Sequence, residues 1–181
     1  MTSALEELRD RISASGLLDE PAAADGIVFG RAHLESAGVD VMVNVDPEIQ
    51  DDDEPDFDID PLIEGVQRIL SVNETRWRAI VDETATDIEE AVGESEVRER
   101  IDLRDDLEAT SLVVFADATL VALVAPRQFP DSRILVQLDE DFEISGVEVV
   151  AKDGAEAAEF DSLDDLLDDI TGGDFRSTDD D

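Results

Sequence analysis

The sequence predicts an α+β fold: a mostly antiparallel sheet of about six strands covered by helices, with one helix at each end of the chain. Two patterns carry this prediction. In several short runs apolar residues alternate with polar ones, which is typical of strands with one buried face. Elsewhere apolar residues recur every three or four positions, which is typical of amphipathic helices. A hairpin in the first half and a four-strand meander in the second half make the sheet mostly antiparallel.

The N-terminal region predicts a helix followed by a hairpin. Ser3 and Glu6 have the spacing of a capping box, so the first helix begins there. The small and acidic residues 19–25 are expected to form a loop. Residues 27–33 and 39–45 then predict two paired strands, because the valines of the second run alternate with polar residues.

The middle of the chain predicts two helices after an acidic linker, residues 46–60. Asp60 is expected to cap the first of them, with Pro61 at its first position, where the missing N–H costs nothing. Ser71 begins a second capping box, so a new helix is expected from there. Trp77 falls on the apolar stripe of this second helix and is expected to lie in the core.

The second half predicts strands, after a highly charged segment 94–108 that fits either a short helix or a loop. The expected strands are residues 112–115, 120–124, 134–138 and 142–150. The run 126–130, with a proline at each end, is expected to break the chain. The last strand changes phase between Ile144 and Val147, so a bulge is expected at 145–146.

The C-terminal region predicts one more helix and a tail. Ser162 is expected to cap this helix, and its apolar stripe consists of Leu163, Leu166, Leu167 and Ile170. Residues 173–181 are expected to be a disordered acidic tail. Residues 1–172 are therefore expected to form a single domain that contains the acidic linker.

The charge of the chain indicates the solvent in which it folds. Fifty acidic residues outnumber thirteen basic ones, giving a formal net charge of −37. Self-repulsion on this scale opposes a compact state, and salt screens it: the Debye length falls from about 10 Å at 0.1 M to about 3 Å at 1 M. With 42% hydrophobic residues in periodic runs, the chain has enough apolar side chains for a core.

Twelve of the thirteen basic residues are arginines, and Lys152 is the single lysine. With the acid runs 51–54 and 179–181 and the lack of cysteine, this composition resembles that of haloarchaeal proteins as a class. The resemblance implies a cytoplasm rich in potassium chloride. The order of a helical middle and a strand-rich second half is similar to that of small α+β domains of unknown function in archaea and bacteria.

The composition also argues against several classes of function. Without cysteine the chain has no disulfide framework and no thiolate chemistry. We expect no secretory signal, because the first twenty residues mix acids with apolar residues. No apolar run approaches the roughly 20 residues of a membrane span. A surface this acidic disfavours direct binding to nucleic acid or anionic membranes. We expect a cytoplasmic protein.

One run of acidic residues has the ligand types of a cation site. Asp56, Asp58 and Asp60 alternate as in a calcium-binding loop, but Pro61 stands where that loop needs glycine and Gln67 where it needs glutamate. We therefore expect a solvated acidic linker, with loose binding of K⁺ or Mg²⁺ as the alternative. No catalytic or cofactor-binding residues are predicted.

The single histidine and the densest group of arginines are expected to have structural rather than catalytic or ligand-binding roles. The sole histidine, His33, lacks a flanking nucleophile motif and is expected to be structural or surface-exposed. The arginines at positions 98, 100 and 104 are expected to pair with acids of their own segment, because these lie within one helical turn.

These observations favour a non-catalytic binding or assembly module, acting as a homodimer or with a protein partner. The first alternative is a divalent-cation-dependent hydrolase that uses Asp and Glu side chains. The second is an acidic decoy of a nucleic-acid-binding protein, which would need one dense acidic face.

Overall fold

The computed structural model describes residues 3–48, 57–92 and 102–152. The helices in these ranges are α1 (Ala4–Ser15), α2 (Ile59–Leu70), α3 (Glu74–Val92) and α4 (Leu103–Asp106). The strands are β1 (Asp19–Ala24), β2 (Ile27–Leu34), β3 (Val39–Val45), β4 (Glu108–Val114), β5 (Thr119–Ala125), β6 (Phe129–Leu138) and β7 (Ile144–Ala151).

The seven strands form one sheet in which each strand neighbours the next along the chain. All neighbouring pairs are antiparallel except β3 and β4, which run parallel with Met42 opposite Ser111 and Val45 opposite Val114. A parallel pair needs a crossover connection, and α2, α3 and α4 lie in the chain between these two strands. The predicted α+β class and mostly antiparallel sheet are confirmed, with seven strands where about six were expected.

The additional strand is β1, and it corrects the expectation of a loop at 19–25. Asp25 and Gly26 have φ values of 53° and 82°. Two successive left-handed residues make the tight turn that joins hairpin strands, and Asp-Gly is among its preferred sequences. β1 therefore folds back on β2, with Ala22 opposite Phe29. Its small and acidic residues have little strand propensity of their own, so the turn and the pairing determine its structure.

The capping box of α1 is confirmed: the Ser3 hydroxyl accepts from the backbone N of Glu6, and the Glu6 carboxylate accepts from the backbone N of Ser3. α1 ends at Ser15, and its C-cap residue Gly16 has a φ of 70°. Its fully buried side chains, Leu8 and Ile12, attach it to the core.

Two predicted helix starts were wrong. α2 is capped by Asp58, whose carboxylate accepts from the backbone N of Asp60. Pro61 therefore lies inside the first turn, where a missing N–H is still tolerated because no partner exists for it within the helix. Asn73, rather than Ser71, caps α3 by accepting from the backbone N of Arg76 at 2.8 Å. The Ser71 hydroxyl instead donates to a carbonyl at the end of α2.

The charged segment 94–108 was expected to be either a short helix or a loop. In its described part, from residue 102 onward, it contains the short helix α4, and β4 begins at Glu108. The chain does not break across the whole of 126–130, because β6 begins at Phe129 and includes Pro130. The pairing with β5 shifts register there, and a proline is tolerated at such an irregularity. The predicted bulge is confirmed at Ser145, which lies unpaired between the pairs of Gly146 and Ile144.

The helices pack on one face of the sheet and form a single core with it. One set of alternate strand residues, including Val28, Val43 and Val121, belongs to the same buried cluster as residues from all four helices. Trp77 is buried in this cluster, as expected. The predicted C-terminal helix and the tail 173–181 lie outside the described residues, as does most of the acidic linker.

Candidate interaction surface

The two faces of the sheet differ in what covers them. From β2 to β6 most strand residues that point toward the helices are buried, and those of the opposite phase are not; on β7, Val149 points to the helix side and is exposed. We call this opposite surface the open face. Its apolar side chains within the described residues include Phe29, Met42, Val113, Leu120, Ala122 and Leu135. None of the six belongs to the core cluster or packs against it.

The strand register brings these side chains together: Leu120 is opposite Val113 and Leu135 is opposite Ala122, while Met42 is a diagonal neighbour of both Phe29 and Val113, in rows that also contain Asn44 and Ser111. One row across the sheet is Phe29, Asn44, Val113, Leu120 and Gln137. The next row is Arg31, Met42, Ser111, Ala122, Leu135 and Glu148. Met42 is 37% exposed, one of two large apolar residues with this degree of exposure in the described part of the chain. The rows make one apolar patch across β2 to β6.

Two arginines stand at opposite ends of this patch. Arg31 lies on β2 beside Met42, and Arg133 lies on β6, four strands away. Both are exposed. Asp19 is opposite Arg31 on β1, yet within the described ranges neither arginine forms an ion pair. Among the other described arginines, Arg9, Arg11, Arg78 and Arg104 form ion pairs, and Arg68 and Arg76 donate hydrogen bonds to backbone carbonyls. Asp40 and Glu148 also lie on the open face, and the two arginines offset their charge.

His33 also lies on the open face, at its edge. Its Nδ1 is 2.7 Å from the Oδ1 of Asp40, its cross-strand neighbour. The two side chains are 55% and 81% exposed, so this is a surface pair, as expected for a histidine without a nucleophile motif. An exposed pair of this kind contributes little to stability.

The predicted cation ligands do not form a common site, because Asp58 and Asp60 each make a different structural contact. Asp58 caps α2, and the Asp60 carboxylate is 2.6 Å from the guanidinium of Arg11 on α1. Asp56 lies outside the described residues. Within the described ranges no three His, Cys, Asp or Glu side chains are grouped so that they could hold a metal ion.

Arg104 is the centre of the densest ion-pair cluster among the described residues. It contacts Asp102 of its own segment, as expected, and also Asp82 and Glu89 of α3, which the sequence pattern did not indicate. Hydrogen bonds from the backbone N and then the side chain of Arg104 lower the pKa of Asp102. The cluster holds α4 against α3. Arg98 and Arg100 lie outside the described residues.

The apolar character of the open face is visible in the sequence as continuous apolar runs, which differ from the alternating pattern of a strand with one exposed face. Residues 120–125 read Leu-Val-Ala-Leu-Val-Ala, and 134–136 are Ile-Leu-Val. A strand with one wet face alternates, whereas a continuous apolar run is typical of a strand covered on both faces. The runs in β5 and β6 therefore indicate a second covering layer.

Comparisons with known proteins do not identify a family: no family model, no curated protein and no solved structure matches this chain. Among the described residues, no helix has the length and apolar character needed to span a bilayer.

Proposed function

We propose that this chain is a non-catalytic binding or assembly module of a halophile's cytoplasm, and that it binds a protein partner through the open face. The observation that carries this proposal is the apolar patch across β2 to β6, whose side chains stand outside the core. Apolar contact surfaces of this kind mark interaction sites on soluble proteins. The resemblance of the composition to that of haloarchaeal proteins supports the proposed location in a salt-rich cytoplasm.

The chemistry of the patch specifies the partner. Its centre is apolar, and Arg31 and Arg133 stand at its ends without ion pairs among the described residues. A complementary partner presents an apolar stripe flanked by carboxylates, as an amphipathic acidic helix does. In concentrated salt the charge pairs are screened, so apolar burial supplies most of the affinity and the arginines supply orientation.

Met42 and Val149 provide a matched pair of substitutions that tests this. They are exposed to 37% and 39%, the first on the open face and the second opposite Ile134 on the helix side of the sheet. Met42→Glu and Val149→Glu therefore add the same charge at similar exposure to opposite faces. The tagged chain is expressed in a halophilic host, its partner is identified by mass spectrometry at native KCl, and the purified pair is titrated by calorimetry.

We expect Met42→Glu to weaken binding of that purified partner about tenfold or more, since it places a charge in a desolvated contact, and Val149→Glu to leave binding unchanged. Equal affinity of the two variants would contradict the proposal. A dimer in sedimentation equilibrium that only Met42→Glu dissociates would assign the face to a second copy and overturn the assignment to a partner.

A further inference from the structure

The chain continues for 29 residues beyond Lys152, the last residue that the structure describes. This extension contains one apolar stripe at helical spacing: Leu163, Leu166, Leu167 and Ile170. The four residues between them, at positions 164, 165, 168 and 169, are all aspartates. Its sequence thus has the chemistry that the open face selects, namely an apolar stripe with carboxylates on both sides.

A stripe of this length needs a surface to pack on. Isolated helices shorter than about 12–15 residues are marginal in water, and helices of this length in proteins are stabilised mainly by packing of an apolar face against another element. The described helices already pack on the other face of the sheet. The open face is the large apolar surface left uncovered by the described part of the chain.

The connection between β7 and residues 162–170 is also long enough for this segment to reach the open face. β7 ends at Ala151, and nine residues, 153–161, separate Lys152 from Ser162. Nine extended residues span about 30 Å. Neighbouring strands are about 4.8 Å apart, so the centre of the patch on β4 and β5 is about 10–14 Å from β7. The connection therefore reaches the patch with slack.

We infer that residues 162–170 occupy the open face of their own chain, with the leucine and isoleucine side chains on the apolar patch and the two aspartates that flank the stripe, Asp164 and Asp169, directed toward Arg31 and Arg133. A tethered segment has an effective concentration in the millimolar range. A second copy instead brings another net charge of −37 to the same surface. The tether and the charge both favour the chain's own segment, and a partner of the kind proposed above must displace it.

A single engineered cysteine reports on this contact, because the chain has none of its own. Ala122→Cys places a small thiol at the centre of the patch. Its alkylation by iodoacetamide is measured in high KCl, first in the otherwise unchanged full-length chain and then with Leu166→Asp and Leu167→Asp added. We expect the stripe substitutions to accelerate alkylation about tenfold or more, because they release the cover.

The matched control replaces Asp165 and Asp168 by Asn on the far side of the same helical turn, and leaves the rate unchanged. Far-UV circular dichroism and Trp77 fluorescence verify that each variant is folded. Equal alkylation rates in the stripe variant and the unchanged chain would overturn the inference.

A second measurement establishes which chain supplies the segment. Full-length protein carrying Ala122→Cys with Leu167→Cys, or with Asp168→Cys as its control, is treated with a short thiol crosslinker at low micromolar concentration. We expect a product of monomer mass for position 167 and much less for position 168. A product of dimer mass would overturn docking within one chain. Neither experiment involves a partner, so a failure here leaves the proposed function standing, and the reverse also holds.

Discussion

The carboxylate of Asp106 accepts a hydrogen bond from the backbone nitrogen of Gln128 at 2.9 Å and another from that of Arg127 at 3.0 Å. Asp106 is only 5% exposed. It lies at the end of α4 and holds the turn between β5 and β6, so one side chain connects the crossover segment to the second half of the sheet. Removal of this carboxylate would remove both of these hydrogen bonds.

Replacing Asp106 by Ala should lower the free energy of unfolding by about 3 kcal/mol, since each hydrogen bond to a charged group contributes about 1.5–3 kcal/mol. Chemical denaturation at constant high KCl measures it. Asp105→Ala is the control: it removes the same charge from an exposed neighbour and should change stability by about 0.5 kcal/mol or less. Equal effects of the two variants would show that Asp106 acts through charge alone.

Gly65 allows α2 to approach β4 closely. A Cβ at this position would meet the Cγ1 of Val114 at 2.8 Å, and Val114 is fully buried. Gly65→Ala should therefore destabilise the fold by about 1–3 kcal/mol through overpacking, despite the better helix propensity of alanine. Gly146→Ala is the matched control, because its Cβ would meet nothing within 4 Å. Thermal melts in high KCl compare them; a Gly65→Ala variant as stable as wild type would refute the close approach.

The fold was largely predictable from the sequence because most elements carry local signals. The capping box at Ser3 and the alternating valines of β3 specify their elements without help from the rest of the chain. β1 was missed because its residues have weak strand propensity, and only the Asp25-Gly26 turn reveals it. The starts of α2 and α3 were misplaced because several Asp, Ser and Asn residues compete to cap them, and packing decides between the candidates.

The candidate site was much less predictable. The acids that surround Arg104 come from α3 and from its own segment, which are joined only by folding. The open face requires the register of five strands, and a shift of one residue would reverse which side chains it presents. The continuous apolar runs in β5 and β6 show that both faces are apolar, but they do not say what covers the second.

Divalent cations should not stabilise this protein beyond their ionic strength. Asp58 is engaged with the backbone of α2 and Asp60 with Arg11, so neither carboxylate is free to bind a metal without breaking a structural contact. A specific site at 100 times its Kd would add about 2.7 kcal/mol. Thermal melts with and without millimolar Mg²⁺ or Mn²⁺, at constant KCl, measure this. A cation-specific rise in Tm that Asp60→Asn abolishes would favour the metal-dependent hydrolase.

Asp102 should make the protein sensitive to acid. Hydrogen bonds from the backbone N and the side chain of Arg104 lower the pKa of Asp102 in the folded state. A lowered folded pKa gives stability that is present above the ordinary aspartate value of about 3.9 and is lost as the pH falls through the lower folded value. Asp102→Asn should therefore lose less stability than wild type on acidification below about pH 4.

Urea denaturation at a series of pH values and constant KCl measures how the free energy of unfolding changes with pH in wild type and in Asp102→Asn. The control, Asp87→Asn, removes the same charge from an exposed position on α3. If Asp102→Asn and wild type lose stability in parallel, the contact with Arg104 does not contribute in solution.

Removal of salt should unfold this chain, because the net charge of −37 is then no longer screened. Far-UV circular dichroism and the fluorescence of Trp77, the single and buried tryptophan, should report one cooperative transition as KCl is lowered.

The exposed acids Glu83, Asp87 and Glu90 of α3 test the role of individual charges. Their replacement by Gln, Asn and Gln should move the midpoint of the KCl-dependent unfolding transition to lower KCl, because three repelling charges are removed. Exchanging Glu for Asp and Asp for Glu at the same positions keeps the charge and should leave the midpoint unchanged. A chain that stays folded in nearly ion-free buffer, with its Tm unaltered, would show that repulsion among these acids is not what salt relieves.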